Sequence, residues 1–200
     1  MKVNGKPMRT IWPAEDGWAV EIIDQTQLPH RFVTCRLTTM DEAAHAISTM
    51  QVRGAPLIGA TAAYGVYLGL RGEVFEGALD AACDTLIATR PTAINLRWAL
   101  DEMCSFLTPL AAAEREAAAY ARAGEICDED VAICHHIGIN GLPLIIEAAK
   151  GKPAGEAGHL KVLFVHVQSG ALIHVCGLGE RPRWAQALRP PNRAPSPMPA

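Results

Sequence analysis

Two arginines in this chain stand where an anion is most easily held. The first lies in Met50-Gln-Val-Arg53-Gly54-Ala55-Pro56-Leu-Ile-Gly59. A guanidinium beside a glycine, followed by a proline able to start a helix, joins a bidentate anion donor to unpaired backbone N–H groups. The second lies in Thr89-Arg90-Pro91-Thr92-Ala93-Ile94-Asn95-Leu96, again where a helical pattern begins. Two such helix starts in one helical region fit a shared phosphate site. Taken alone, each also fits a turn residue and a solvated arginine.

Other chemistry-bearing residues form weaker patterns. Cys127, Cys134, His135 and His136 are close in sequence, but their spacing matches no usual zinc pattern. They read as core thiols at heptad spacing beside a surface histidine, so no metal is expected. Gly177-x-Gly179 lacks the third glycine of a dinucleotide-binding loop. His166, near the end of an apolar run, fits a ligand contact or a satisfied core histidine equally well.

Periodicity outlines the elements that must position these groups. Residues 1–40 read as a β-meander. Ile11-Trp12, Trp18 to Ile23 and Arg31 to Leu37 are β-rich runs separated by Pro13 to Gly17 and Asp24 to His30. Residues 41–155 read as a helical domain. Thr39 is predicted to cap a helix over 41–50, with Glu42 at the capping-box spacing. Pro56 opens a second helix to Leu70, in which Gly65-x-x-x-Gly69 is a packing surface. Phe75, Leu79, Ala82 and Leu86 share the stripe of a third helix, and Leu96, Leu100, Met103 and Leu107 that of a fourth. Three shorter helices are expected next, over 111–124, after a cap at Asp128, and over 142–150. Lys150 to Gly158 is a linker by composition. Leu160 to Val167 is a continuous apolar run, the pattern of a strand buried on both faces of a parallel sheet. Residues 156–178 thus read as the start of an α/β domain that the remaining chain is too short to finish.

Composition bounds the possibilities. The 200 residues are 50% hydrophobic with a net charge of −3, which excludes global disorder and argues against nucleic-acid or polybasic membrane binding. The charge is unevenly spread. Arg181, Arg183, Arg189 and Arg193 stand without an acid in a final segment that also holds six prolines, leaving residues 1–180 at −7. Gly54 to Leu70 is uncharged but falls short of the ~18 apolar residues of a span and is diluted by Gly, Thr and Tyr. It reads as a buried helix. The six cysteines at 35, 83, 104, 127, 134 and 176 follow no paired spacing, and no secretory leader is seen. They read as free thiols in a reducing cytoplasm.

Arg-Gly-Ala-Pro-Leu-Ile-Gly at 53–59 followed by Thr-Arg-Pro-Thr-Ala-Ile-Asn-Leu at 89–96 resembles the methylthioribose-1-phosphate isomerases of methionine salvage. Ile22-Ile-Asp-Gln-Thr-Gln-Leu-Pro29 is similar to the segment before those motifs. His136-Ile-Gly-x-x-Gly141 through Lys152-Pro153 resembles the approach to that family's second domain. The same superfamily contains ribose-1,5-bisphosphate isomerases and the regulatory subunits of initiation factor 2B. The resemblance covers about residues 5–175. It implies a cofactor-free aldose–ketose isomerisation of a sugar phosphate, with Arg53, Gly54, Ala55 and Arg90 in substrate-binding motifs. It also implies a homodimer and a cytoplasmic location. The implied fold is α+β: a small antiparallel meander plus a helical bundle, then the first strand of a truncated Rossmann-like domain.

The resemblance further implies a catalytic cysteine in a Thr-His-Cys-Asn-Ala-Gly motif and, much further on, a proton-donating aspartate. Here the matching stretch reads Val165-His-Val167-Gln-Ser-Gly170, with Val167 in the cysteine's place. Valine neither relays a proton nor stabilises charge, and the aspartate has no counterpart. Catalysis by this chain is therefore not expected. The alternative readings are a non-catalytic regulatory or scaffold protein of the initiation factor type and a ribose-1,5-bisphosphate isomerase. Residues 179–200 read as an aberrant tail. Gly177 to Pro182 written as GGC CTT GGG GAA CGG CCC and shifted by two bases encodes Pro-Trp-Gly-Thr-Ala, close to the family's continuation, so a lost reading frame near 165–177 is expected.

Overall fold

A computed structural model of the chain describes residues 2–3, 6–73, 75–150, 161–167 and 170–176. A short antiparallel pair, β1 (Lys2–Val3) with β2 (Lys6–Pro7), precedes the expected meander. The meander itself is β3 (Ile11–Pro13), β4 (Val20–Ile23) and β5 (Thr34–Leu37), antiparallel in that order. Ile11 stands opposite Ile22 and Val20 opposite Leu37, and all four side chains enter the core. Glu21 and Arg36, paired on the ladder between them, stay outside it, as period-two alternation requires.

Helix α1 (Met40–Ser48) starts as the sequence predicts. Thr39 accepts from the Glu42 N–H while the Glu42 carboxylate accepts from the Thr39 N–H. Helix α2 (Ala55–Leu70) is the axis of the fold: every residue from Leu57 to Leu68, and Leu70, is buried. Protein thus surrounds it on all sides. Among the described residues no helix is long and apolar enough to cross a membrane. Helix α3 (Ala78–Thr89) buries Leu79, Ala82 and Leu86, but it starts three residues after Phe75, which is 55% exposed. Helix α4 (Ile94–Leu107) buries Leu96, Leu100, Met103 and Leu107, the predicted stripe.

Glycines set the approach of the helices. A Cβ on Gly65 would meet Leu86 and Ala43; one on Gly69 would meet Ala82 and Met40. Moving up α2 therefore means moving down both α3 and α1, so both run antiparallel to it. The Gly65-x-x-x-Gly69 surface is helix packing, as expected.

Three short helices were expected beyond residue 110, but one long helix, α5 (Ala112–Ala149), runs through Asp128, Gly138, Gly141 and Pro143. Asp128 caps nothing; its carboxylate accepts from the Arg9 guanidinium at 2.6 Å. Alanine-rich sequence and the contacts of Arg122 with Glu125 and Glu129 carry the helix past it. Near its start, the Tyr120 ring lies 4.9 Å from that of Tyr67 on α2.

The chain divides into two units, Met1–Ala132 and Ile133–Ala200. The second contains β6 (Lys161–Val167) and β7 (Gly170–Cys176), paired antiparallel with Lys161 opposite Cys176. The strand predicted at 160–167 is present, but its neighbour is the adjacent apolar run, which the sequence reading left unassigned, and the pairing is not parallel. The linker at 151–158, the Gly177-x-Gly179 pair and the Arg/Pro-rich tail lie outside the described residues.

Candidate anion-binding site

Arg53 sits in the loop joining α1 to α2, and that loop is tightly built. The Val52 N–H donates to the Ala46 carbonyl at 3.3 Å and its side chain is fully buried. Met50 adopts φ +62° and Gly54 φ +92°, so the chain reverses twice within five residues. Gly54 is the N-cap of α2, and only glycine takes that conformation without strain. No side chain caps α2, no acid lies in its first turn, and Pro56 has no N–H to satisfy. Ala55 and Gly54 are exposed, as is Arg53, whose Nε donates to the Met50 carbonyl at 3.3 Å.

A second loop leans on the first. Asp24, only 6% exposed, accepts from the Thr26 N–H at 2.9 Å and hydroxyl at 2.6 Å. This turn presents the Gln25 N–H to the Gln51 carbonyl at 2.9 Å. The segment 22–29 therefore braces the segment 50–54.

Arg90 is the half-buried C-cap of α3, and its carbonyl accepts from the Ala93 N–H at 2.9 Å, closing the turn into α4. Helix α4 likewise starts with no side-chain cap and no acid in its first turn. Its first turn abuts the second turn of α2. A Cβ on Gly59 would lie 3.0 Å from the Asn95 carbonyl oxygen and 3.5 Å from the Ala99 Cβ. Since α3 is antiparallel to α2, and α4 returns along α3 after a tight turn, α2 and α4 start at the same end of the bundle. The two predicted motifs are thus neighbours, with two positive helix starts at one end of the bundle. Val167 and His166 belong to the second unit, where they end β6 opposite Gly170 and Ala171.

The sequence reading missed a pocket of about 530 Å³ beside the start of α2, lined by Arg9, Thr10, Pro56, Leu57, Cys127 and Asp130 among others. The Arg9 to Asp128 pairing, across more than a hundred residues, helps bring its walls together, and no local pattern announces that. Burial pushes the Cys127 thiol up to about 11, with Arg9 drawing it partly back. Cys134, expected in the core, is exposed together with His135 and His136. Among the described residues no three His, Cys, Asp or Glu side chains are placed to hold a metal ion.

Residues 51–184 match the Initiation factor 2 subunit family. A methylthioribose-1-phosphate isomerase of Rhodospirillum rubrum is 50% identical over 196 residues, 97% of this chain and 48% of the relative. The chain thus spans about half the length of that protein. Two solved structures share the fold. The 5-methylthioribose 1-phosphate isomerase of Pyrococcus horikoshii is 35% identical with a TM-score of 0.56, over 63% of this chain and 37% of that one. The delta subunit of translation initiation factor eIF-2B from A. fulgidus is 31% identical with a TM-score of 0.57, over 62% and 38%. On this match the chain belongs to the Initiation factor 2 subunit family.

Proposed function

We propose that this chain binds a sugar phosphate of the methylthioribose 1-phosphate type through the edge formed by the starts of α2 and α4. What supports the reading is the abutment of Gly59 on Asn95, which joins the two arginine-bearing segments. In this reading, Arg53 and Arg90 supply guanidinium donors, and the exposed backbone at Gly54 and Ala55 supplies N–H groups to the phosphate. Relatives named as isomerases at about half identity narrow the ligand class. Residues 1–40 and 41–155 act as the sheet and helical parts of this binding half. Residues 156–178 occupy the opening of a second, Rossmann-like domain, and 179–200 stand apart from it as an aberrant tail. The chain acts in the cytoplasm.

Turnover is a separate property. Moving a hydrogen between C2 and C1 of the opened sugar needs groups that give and take protons, and Val167 can do neither. The chain therefore grips phosphate without isomerising it. Calorimetric titration with methylthioribose 1-phosphate tests the grip. Arg53→Ala and Arg90→Ala should each weaken binding roughly 10-fold or more, as expected for one charge-assisted contact. Affinity unchanged in both variants would refute the site. Product formation at a rate typical of complete isomerases would refute the inactivity.

The likeness to the initiation factor delta subunit favours a second reading, a non-catalytic regulatory role. Co-purification with translation factors, together with indifference to sugar phosphates, would select it.

A further inference from the structure

Cys83 on α3 and Cys104 on α4 face each other with their sulfurs 2.7 Å apart, well inside ordinary contact distance. The two positions are 21 residues apart and sit on the arms of the helical hairpin whose turn carries Arg90. Closing from 2.7 Å to the ~2.05 Å of a disulfide requires only a small side-chain movement. A cleft of about 140 Å³, bordered by Cys83, Arg97, Asp101 and Cys104, opens onto the pair. It admits a small oxidant.

We propose that Cys83 and Cys104 form a peroxide-responsive disulfide that fastens α3 to α4. One thiolate attacks a peroxide oxygen and the O–O bond breaks. The sulfur becomes a sulfenic acid, and the departing hydroxide takes a proton to become water. The second thiol attacks that sulfur, the S–O bond breaks, and a second water leaves. Two thiols lose two electrons and one peroxide gains them. Burial, and then the neighbouring Cys104 sulfur, push the Cys83 thiol well above the usual thiol range. The resting Cys83 is thus a protonated thiol against the Cys104 sulfur, and closure needs sustained exposure to peroxide. Elsewhere, Cys35 is half-buried on β5, Cys127 is buried in its pocket wall and Cys134 is exposed on α5.

Peptide mapping decides the matter on the unmodified sequence. The purified chain is treated with hydrogen peroxide, free thiols are alkylated, and the protein is digested with trypsin without reduction. Cleavage after Arg71, Arg97 and Arg115 puts Cys83 in peptide 72–97 and Cys104 in peptide 98–115, because Pro91 protects the bond after Arg90. The expected product is these two peptides joined, released by dithiothreitol. The melting temperature of the oxidised chain should rise by roughly 5–10 °C, as for a cross-link over a loop of this size. Cys83→Ala and Cys104→Ala should each abolish both effects, while Cys134→Ser leaves them intact. Both thiols remaining alkylatable after Cys134 has been oxidised would overturn the proposal. So would conversion of either cysteine to a sulfinic acid without the linked peptide.

Discussion

Arg115 illustrates how much one side chain can hold. It is 7% exposed and its guanidinium donates to four carbonyls: Leu107 at 3.2 Å, Leu110 at 3.1 Å, Thr108 at 3.3 Å and Glu76 at 3.3 Å. The Glu76 carboxylate completes the cage at 3.0 Å. Three of those carbonyls close the C-terminal end of α4, where intrahelical partners run out. Arg115→Met should therefore leave several buried acceptors unpaired and cost about 2–4 kcal/mol, read as a lower urea midpoint with unchanged slope. Arg115→Lys should recover little, because an ammonium cannot span the same fork. In sequence this residue lies in an alanine-rich helix and looks like any solvated arginine; its partners come from two other segments, the end of α4 and Glu76. The turns that hold Arg53 and Arg90 were legible for the opposite reason. Each arginine lies beside the glycine or proline that shapes its own turn, so the chemistry and the geometry share one short stretch.

At the scale of elements, local rules carried furthest where a helix start or a buried stripe was decided within a few residues. The Thr39–Glu42 box is one case. The Thr38 N–H, with the Thr38 hydroxyl and the Thr39 N–H and hydroxyl, holds the Glu42 carboxyl below its usual range, against the opposing effect of burial. A lowered carboxyl stabilises the fold above its unfolded value of 4.5, and the effect fades as pH falls through the lower folded value. Thr39→Ala should cost about 1 kcal/mol at neutral pH. The stability advantage of the natural chain over Glu42→Gln should be constant from neutral pH down to about 4.5 and shrink below it, as followed by thermal melts across pH. Where α2 meets α4, Gly59→Val would drive two methyls toward the Asn95 carbonyl, so a loss of roughly 1–3 kcal/mol is expected. The same substitution should weaken anion binding, because it parts the two arginine-bearing turns; calorimetry on the folded variant checks this. Element length was the less legible quantity. Asp128 has the residue type of a cap, and only its long-range partner Arg9 shows that it is not one.

For the whole molecule, the sequence led to the family and to a strand ending at Val167, but not to how that strand pairs, nor to the division inside α5 after Ala132 in place of the boundary expected at 155–156. A run such as 160–167 is apolar enough for either a parallel or an antiparallel neighbour, and only the register with 170–176 distinguishes them. The end of α5 carries another consequence of composition: Val131, Ile139, Leu142 and Ile146 recur at helical spacing, and all are about half exposed. Exposed apolar side chains along one helix face should bind a hydrophobic dye, and Leu142→Lys with Ile146→Lys should reduce that fluorescence at unchanged helix content.

The central place of α2 also bears on how quickly the chain finds its fold. Its two antiparallel partners, α1 and α3, are the helices that immediately precede and follow it, so much of the core closes through short loops. Topologies of that kind have low barriers. The strand-and-loop region that braces the Arg53 turn joins α2 from further away, through the Gln25 to Gln51 bond and the bond from the Tyr67 hydroxyl to the Trp18 carbonyl at 2.9 Å. In a stopped-flow experiment, changes at Gly65 should slow refolding, whereas Tyr67→Phe should chiefly speed unfolding. The helical scaffold would then form ahead of the Arg53 turn that it supports.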